Sequence, residues 1–244
     1  MILAVIPARY GSTRFPGKPL VDLGGQTLIQ RVYAAVNGID RVHRTVVATD
    51  DGRIYEHVRG FGGEAVMTAA DHPSGTDRVA EAAAHFPEAE IVLNVQGDEP
   101  FIRADQIKAV LDCFADPQTA IATLAAPVRD EHALLSPNVV KVVCDERGRA
   151  LYFSRHAIPY LRDVPVGRWI EEETHLQHVG LYAFRAERLP ELTLLRPGAL
   201  EERERLEQLR WLAAGYRIQV AVTDRPSLGI DTPADLEEAL RRLR

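Results

Sequence analysis

Residues 1–20 read MILAVIPARYGSTRFPGKPL, and their order settles how the rest of the chain is parsed. Ile2-Leu3-Ala4-Val5-Ile6 is an unbroken apolar run, which predicts a strand buried on both faces rather than one alternating between core and water. It stops at Pro7 and opens into a loop in which Arg9, Arg14 and Lys18 stand among Gly11, Ser12, Thr13 and Gly17. A buried strand that ends in a loop of fixed cations suggests the carboxyl edge of a parallel sheet, where ligands gather.

Working outward, short apolar runs alternate with segments of helical period. TLIQRVYAAV (27–36) has apolar residues at helical spacing, RTVVATD (44–50) reads as a strand ending in acids, and IYEHVRGFGG (54–63) as a helix closing on glycine. EAVMT (64–68) is a third strand and DRVAEAAAHF (77–86) a helix. EIVLNVQGDEP (90–100) is a buried strand running into an acidic turn, followed by the amphipathic ADQIKAVLDCF (104–114) and the strand TAIATLAAPV (119–128). This alternation predicts an α/β fold, a mostly parallel sheet with helices on both faces. The loops at 9–18, 50–51 and 96–100 all follow predicted strands.

The second half is less regular. NVVKVVCDERGRALYFSR (138–155) predicts a hairpin about Glu146-Arg147-Gly148, and HVGLYAFR (178–185) a strand. ALEERERLEQLRWLAAG (199–215) reads as one helix stopped by Gly215, YRIQVAVTD (216–224) as the last strand, and 231–244 as a helix with Thr232 as N-cap and Pro233 at its first position. Residues 157–176 form an irregular insertion carrying Pro159, Pro165, Gly167 and an exposed-looking Trp169, a composition that suits a lid or a dimer contact. The expectation is a single domain over 1–244, with a less regular region at about 150–200.

The totals narrow the function. With 244 residues, 46% apolar residues and 26% charged, the chain has material for a sizeable core. A net charge of −6 argues against a general nucleic-acid binder, so the clustered cations are aimed at a small anion. Cys113 and Cys144 lie too far apart in sequence for a metal knuckle and are expected as buried thiols. The opening apolar run is too short for a membrane span or signal core, so a cytoplasmic location is expected.

The chemistry-bearing residues fall into three groups. Arg9, Arg14 and Lys18 suit a polyphosphate, lysine as a point charge and arginine as a planar fork. The loop is not a Walker A pattern, and no G-x-G-x-x-G of a nicotinamide site occurs. Asp98, in the turn of Gly97 and Pro100, and Asp231, in LGIDTPADL (228–236), stand at strand ends and suit a Mg²⁺–nucleotide site. The plainer readings are that Asp98 caps its turn and Asp231 caps the last helix.

Taken together, IPARYGSTRFPGKPL, ATDD, ADHPSGTDR, NVQGDEP, PNVVKVV, ALYFSR, HVGLYAFR, LEQLRWL and GIDTPADLE resemble, in order and over nearly the whole chain, the motifs of the 3-deoxy-manno-octulosonate (KDO) cytidylyltransferase family. The resemblance implies a Rossmann-like, nucleotide-diphospho-sugar transferase type of sheet with a smaller sugar-binding and dimerisation subdomain. It implies transfer of CMP from CTP to KDO for lipopolysaccharide assembly, with Mg²⁺ as cofactor, in a cytoplasmic homodimer. Lys18, Asp98 and Asp231 would be catalytic, the two aspartates as metal ligands. Arg9, Arg14 and Lys18 would hold the triphosphate, and Ser74, Gly75 and Thr76 the nucleoside. Gln96, Arg155, His178, Tyr182, Glu207 and Gln208 would bind the sugar acid. Each has a structural rival: Ser74 as a helix N-cap, Glu207 as a solvated acid, His178 and Tyr182 as core groups. Another acceptor (sialic acid or an amino-substituted KDO), or a non-catalytic nucleotide-binding role, stays open at this point.

Overall fold

A computed structural model describes residues 1–11, 15–225 and 229–243. The strands are β1 (Ile2–Ala8), β2 (Arg44–Thr49), β3 (Ala65–Met67), β4 (Ile91–Val95), β5 (Ile121–Pro127), β6 (Lys141–Cys144), β7 (Ala150–Ser154), β8 (Leu176–Arg185) and β9 (Ile218–Val222). The α-helices are α1 (Leu28–Val36), α2 (Gly52–Gly60), α3 (Gly75–Ala84), α4 (Ala104–Asp112), α5 (Glu131–Leu135), α6 (Trp169–Glu172), α7 (Leu189–Leu194), α8 (Ala199–Glu204), α9 (Gln208–Ala213) and α10 (Pro233–Arg242). The chain divides into two compact units, neither continuous in sequence. One comprises Met1–Ile107, Ala183–Thr193 and Ser227–Arg244, the other Lys108–Tyr182 and Leu194–Pro226.

In the first unit β1 pairs in parallel with β2 on one side and β4 on the other, and β2 pairs in parallel with β3. Leu3, Ala4, Val5 and Ile6 have no exposed surface, nor do Val46, Val47 and Ala48 on β2. Successive strand residues point to opposite faces, so both faces of this sheet are covered, as the apolar runs predict. Helix α1, the first crossover, begins at Thr27, whose side chain accepts the Gln30 N–H, and buries Leu28, Ile29, Val32 and Val36. The strands end together, and the loops after β1 and β4 leave the same edge.

In the second unit β5 and β9 are parallel, while β6 runs antiparallel to both β7 and β8. The β6–β7 hairpin turns where expected: the Asp145 carboxylate accepts the N–H groups of Arg147 and Arg149. Three expectations change here. Trp169 is only 2% exposed. Its indole packs with Val128, Leu134 and Ala157, stacks on His175 and donates to the Val164 carbonyl at 2.9 Å. A large apolar ring with its one donor satisfied belongs in a core, and the surrounding prolines and charges hid that. Residues 199–215 are two short helices, because Arg205 takes a left-handed conformation (φ 54°) that ends α8 before α9 begins. Cys113 and Cys144 are half-buried rather than buried, and burial raises both thiols, Cys144 to about 11.

Candidate active site

The cation loop after β1 is closed by its backbone. Gly17 takes φ 72°, which L side chains rarely adopt, and donates to the Tyr10 carbonyl at 2.9 Å. The chain then enters a single 3-10 turn, Lys18–Leu20, with Pro19 buried. This fixes the start of the Lys18 side chain. Its ammonium donates to Asp98 Oδ2 at 2.7 Å and to Asp231 Oδ1 at 3.1 Å. Residues 213 positions apart in sequence therefore share one charge cluster.

Each carboxylate is set by its own local rule. Asp98 follows β4 through Gly97, where a Cβ would lie 2.8 Å from the Pro7 carbonyl oxygen. Only glycine allows that close approach to the end of β1. The Asp98 carbonyl in turn accepts the Ile230 N–H at 2.9 Å, which tethers the Asp231 segment to the same turn. Asp231 does not cap α10. Thr232 does, in a capping box with Asp235, whose carboxylate also accepts the Asp231 N–H at 3.0 Å. The Asp231 carboxylate is left to face Lys18.

Around this cluster a two-lobed cleft opens in the first unit. Pro7, Ala8, Arg9 and Gln96 line both lobes. Lys18, Pro19, Gly97, Asp98 and Asp231 complete one, of about 190 Å³. His72, Pro73, Ser74, Gly75 and Arg78 complete the other, of about 160 Å³. Together the lobes reach the size of a small-ligand pocket. Arg9 is exposed at their junction. Ser74 is the N-cap of α3, its hydroxyl accepting the Asp77 N–H at 3.2 Å and donating to the Asp77 carboxylate at 2.6 Å. Gly75 opens the helix over Pro7, and Thr76 is buried. Arg14 lies outside the described residues.

The other residues named from sequence, apart from Gln96, lie in the second unit. His178 sits between the rings of Phe153 and Tyr182, each 5.2 Å away centre to centre, and burial lowers its pKa to about 4. The Tyr182 ring meets Trp211 of α9 edge-on, and burial together with the Glu207 charge pushes its phenol well up. Glu207 and Gln208 begin α9, with Gln208 buried. Arg155 spends its guanidinium on main-chain carbonyls: those of Glu204 at 2.6 Å and Arg205 at 3.3 Å at the α8–α9 break, and that of Pro137, just past α5, at 2.9 Å.

Two residues escaped the sequence reading. Arg78 is 4% exposed, lines the cleft, and is tied to Asp50 (3.3 Å) and the Thr68 hydroxyl (2.5 Å). Its signal was available: it shares the apolar phase of its helix with Val79 and Ala82, an unusual place for a cation. Thr123 is fully buried in β5 and joined to His178. A threonine inside an apolar strand carries no such signal.

Among the described residues no group of three or more His, Cys, Asp or Glu side chains is placed to hold a metal ion by itself. Two carboxylates drawn to one cation are hard oxygen donors, and that number fits Mg²⁺ held jointly with substrate phosphates rather than by an all-protein cage. The residues present thus fit the ion.

The chain belongs to the cytidylyltransferase family, whose model matches residues 3–218. Within that class the similarity runs to 3-deoxy-manno-octulosonate cytidylyltransferases. The Parabacteroides distasonis protein of that name is 50% identical over 98% of this chain and 96% of its own length. That of Bacteroides thetaiotaomicron is 51% identical over 97% and 96%. The solved structure of CMP:2-keto-3-deoxy-manno-octonic acid synthetase complexed with CTP superposes with a TM-score of 0.91, at 43% identity and covering 99% and 98% of the two chains.

Proposed function

We propose that this chain is an enzyme that transfers the cytidylyl group of CTP to KDO, giving CMP-KDO and pyrophosphate. The observation that carries this reading is the Lys18 ammonium held between Asp98 and Asp231 beside Arg9, in a chain about half identical to enzymes of that name. In the reaction the anomeric hydroxyl of the sugar forms a bond to the α-phosphorus while the bond to pyrophosphate breaks. Arg9, Arg14 and Lys18 bind the triphosphate and neutralise the charge that leaves with pyrophosphate; positioning and charge complementarity supply most of such catalysis. Asp98 and Asp231 would hold Mg²⁺, which when bound offsets phosphate charge and lowers the pKa of the attacking hydroxyl. The Ser74–Thr76 segment takes the nucleoside. Gln96, Arg155, His178, Tyr182, Glu207 and Gln208 serve the sugar acid.

The same reading includes a cytoplasmic homodimer supplying activated sugar for lipopolysaccharide. Among the described residues no helix is long and apolar enough to cross a membrane. The test is pyrophosphate release from CTP by the purified protein, with and without Mg²⁺, against a panel of sugar acids. Turnover of KDO that EDTA abolishes is expected. Efficient use of sialic acid or an amino-substituted KDO with none of KDO would overturn the substrate, and a single-subunit mass in sedimentation would overturn the dimer.

A further inference from the structure

Thr123 Oγ1 lies 2.8 Å from the Leu181 carbonyl oxygen and 2.9 Å from His178 Nε2, within one buried corner of the second unit. A carbonyl oxygen only accepts, and a threonine hydroxyl has a single proton to give. That proton goes to Leu181, so Thr123 meets His178 with a lone pair. His178 Nε2 must then be the nitrogen that carries hydrogen, because the bond made by one ring nitrogen fixes the state of the other.

The imidazole is held in place while this selection operates. Its backbone N–H donates to the Val140 carbonyl at 2.8 Å, Phe153 stands edge-on to the ring at 83°, and Tyr182 tilts against it at 49°. Burial keeps the ring neutral at ordinary pH. Among the described residues the ring's hydrogen bond is the one made by Nε2 to Thr123, and His178 is partly exposed, which leaves Nδ1 for a ligand. A neutral ring protonated on Nε2 offers a lone pair at Nδ1, which attracts a hydroxyl proton and repels a carboxylate.

We propose that Thr123 is a positioning residue for the sugar acid: it locks His178 in the Nε2–H tautomer, so that Nδ1 accepts a hydrogen bond from a sugar hydroxyl and discriminates against binding the acid group there. This rests on the reading of His178 as a sugar-acid residue. It adds to that reading a residue outside the binding set and a direction for the hydrogen bond. The acid group must then be met elsewhere, by a donor.

The test joins spectroscopy to kinetics on the full-length protein. Long-range ¹H–¹⁵N correlation of the His178 ring should show hydrogen on Nε2 and a bare Nδ1 in the wild type and in Thr123→Ser. Thr123→Val keeps the shape and removes the lone pair, leaving Nε2–H without its acceptor. It should shift the ring toward the other tautomer and raise KM for KDO about tenfold, the scale of one hydrogen bond, with KM for CTP and kcat within about threefold. Thr123→Ser should restore both. Hydrogen on Nδ1 in the wild type would overturn the proposal, as would an unchanged tautomer and KM in Thr123→Val. An equal rise in both KM values would also overturn it, since a merely structural role gives that pattern. Should Thr123→Val fail to fold, the wild-type and Thr123→Ser spectra still decide. A wild-type protein that ignores KDO defeats the functional reading alone, because the tautomer is measured without substrate.

Discussion

Replacing Lys18 by methionine keeps the unbranched stem and removes the ammonium that lies 2.7 Å from Asp98 and 3.1 Å from Asp231. Those distances put the two facing carboxylate oxygens within about 6 Å of each other. At that separation like unit charges repel by roughly 3 kcal/mol at an effective dielectric of about 20, and by roughly 0.7 kcal/mol in bulk water. The Asp98 side chain is 28% exposed and that of Asp231 47%, so solvent pulls the value toward the lower end. About 1.4 kcal/mol is a reasonable estimate, which is about tenfold in an equilibrium constant. Lys18 is therefore an internal competitor for the site where the carboxylates would hold a divalent ion. Lys18→Met should bind Mn²⁺ about tenfold more tightly than wild type in the absence of nucleotide, while binding CTP about tenfold more weakly for want of a phosphate partner. Calorimetric titration with Mn²⁺ alone, then with CTP alone, reads both. A variant that binds Mn²⁺ no more tightly than wild type would refute the idea that ammonium and metal ion share these oxygens.

Asp98→Asn and Asp231→Asn, which keep size and lose charge, should each lower kcat by about 100-fold or more with the fold intact by circular dichroism; full turnover in both would remove them from the chemistry. Trp169→Ala should cost about 4 kcal/mol in urea unfolding of the transition that involves the second unit, from the lost ring and the cavity it leaves; a loss under about 1 kcal/mol contradicts its core role. The His178 pKa falls from 6.5 to about 4 on folding, so between those values the unfolded chain binds a proton that the folded one does not. Its contribution to stability is whole above pH 6.5 and declines as pH drops toward 4, by at most about 1.4 kcal/mol per unit. His178→Gln should flatten the urea midpoint between pH 4.5 and 6.5, and an unaltered slope would show that the ring is not desolvated.

What sequence could tell follows from how local each cause is. The run at 2–6 announces a doubly covered strand because no polar residue interrupts it, and the charges directly after it and after Val95 mark the edge where side chains leave the sheet. Gly97 before Asp98 was legible as a turn, though not as a contact with the Pro7 carbonyl. The meeting of Lys18 with Asp231 is a tertiary event; the strand-end position of the acid and the likeness to a known family hinted at it, and neither gave the contact. The break at Arg205 has neither glycine nor proline to announce it; the Arg155 clamp on the Glu204 and Arg205 carbonyls, made from the residue just past β7, accompanies it. The burial of Trp169 is hidden for a similar reason, since its partners Val128 and Leu134 come from a distant stretch and Arg168 and Glu171 to Glu173 stand close to it in sequence. Thr123 is the limiting case. A hydroxyl among alanines and leucines looks like filler until the carbonyl that takes its proton is in view.

The first unit closes late. Its sheet is laid down by the opening hundred residues, yet Asp231 and the helix that follows it come from the far end of the chain. During synthesis, then, the nascent sheet carries Lys18 and Asp98 long before the second acid emerges from the ribosome, and a chain cut short before residue 231 holds the ammonium and only one of its two carboxylate partners.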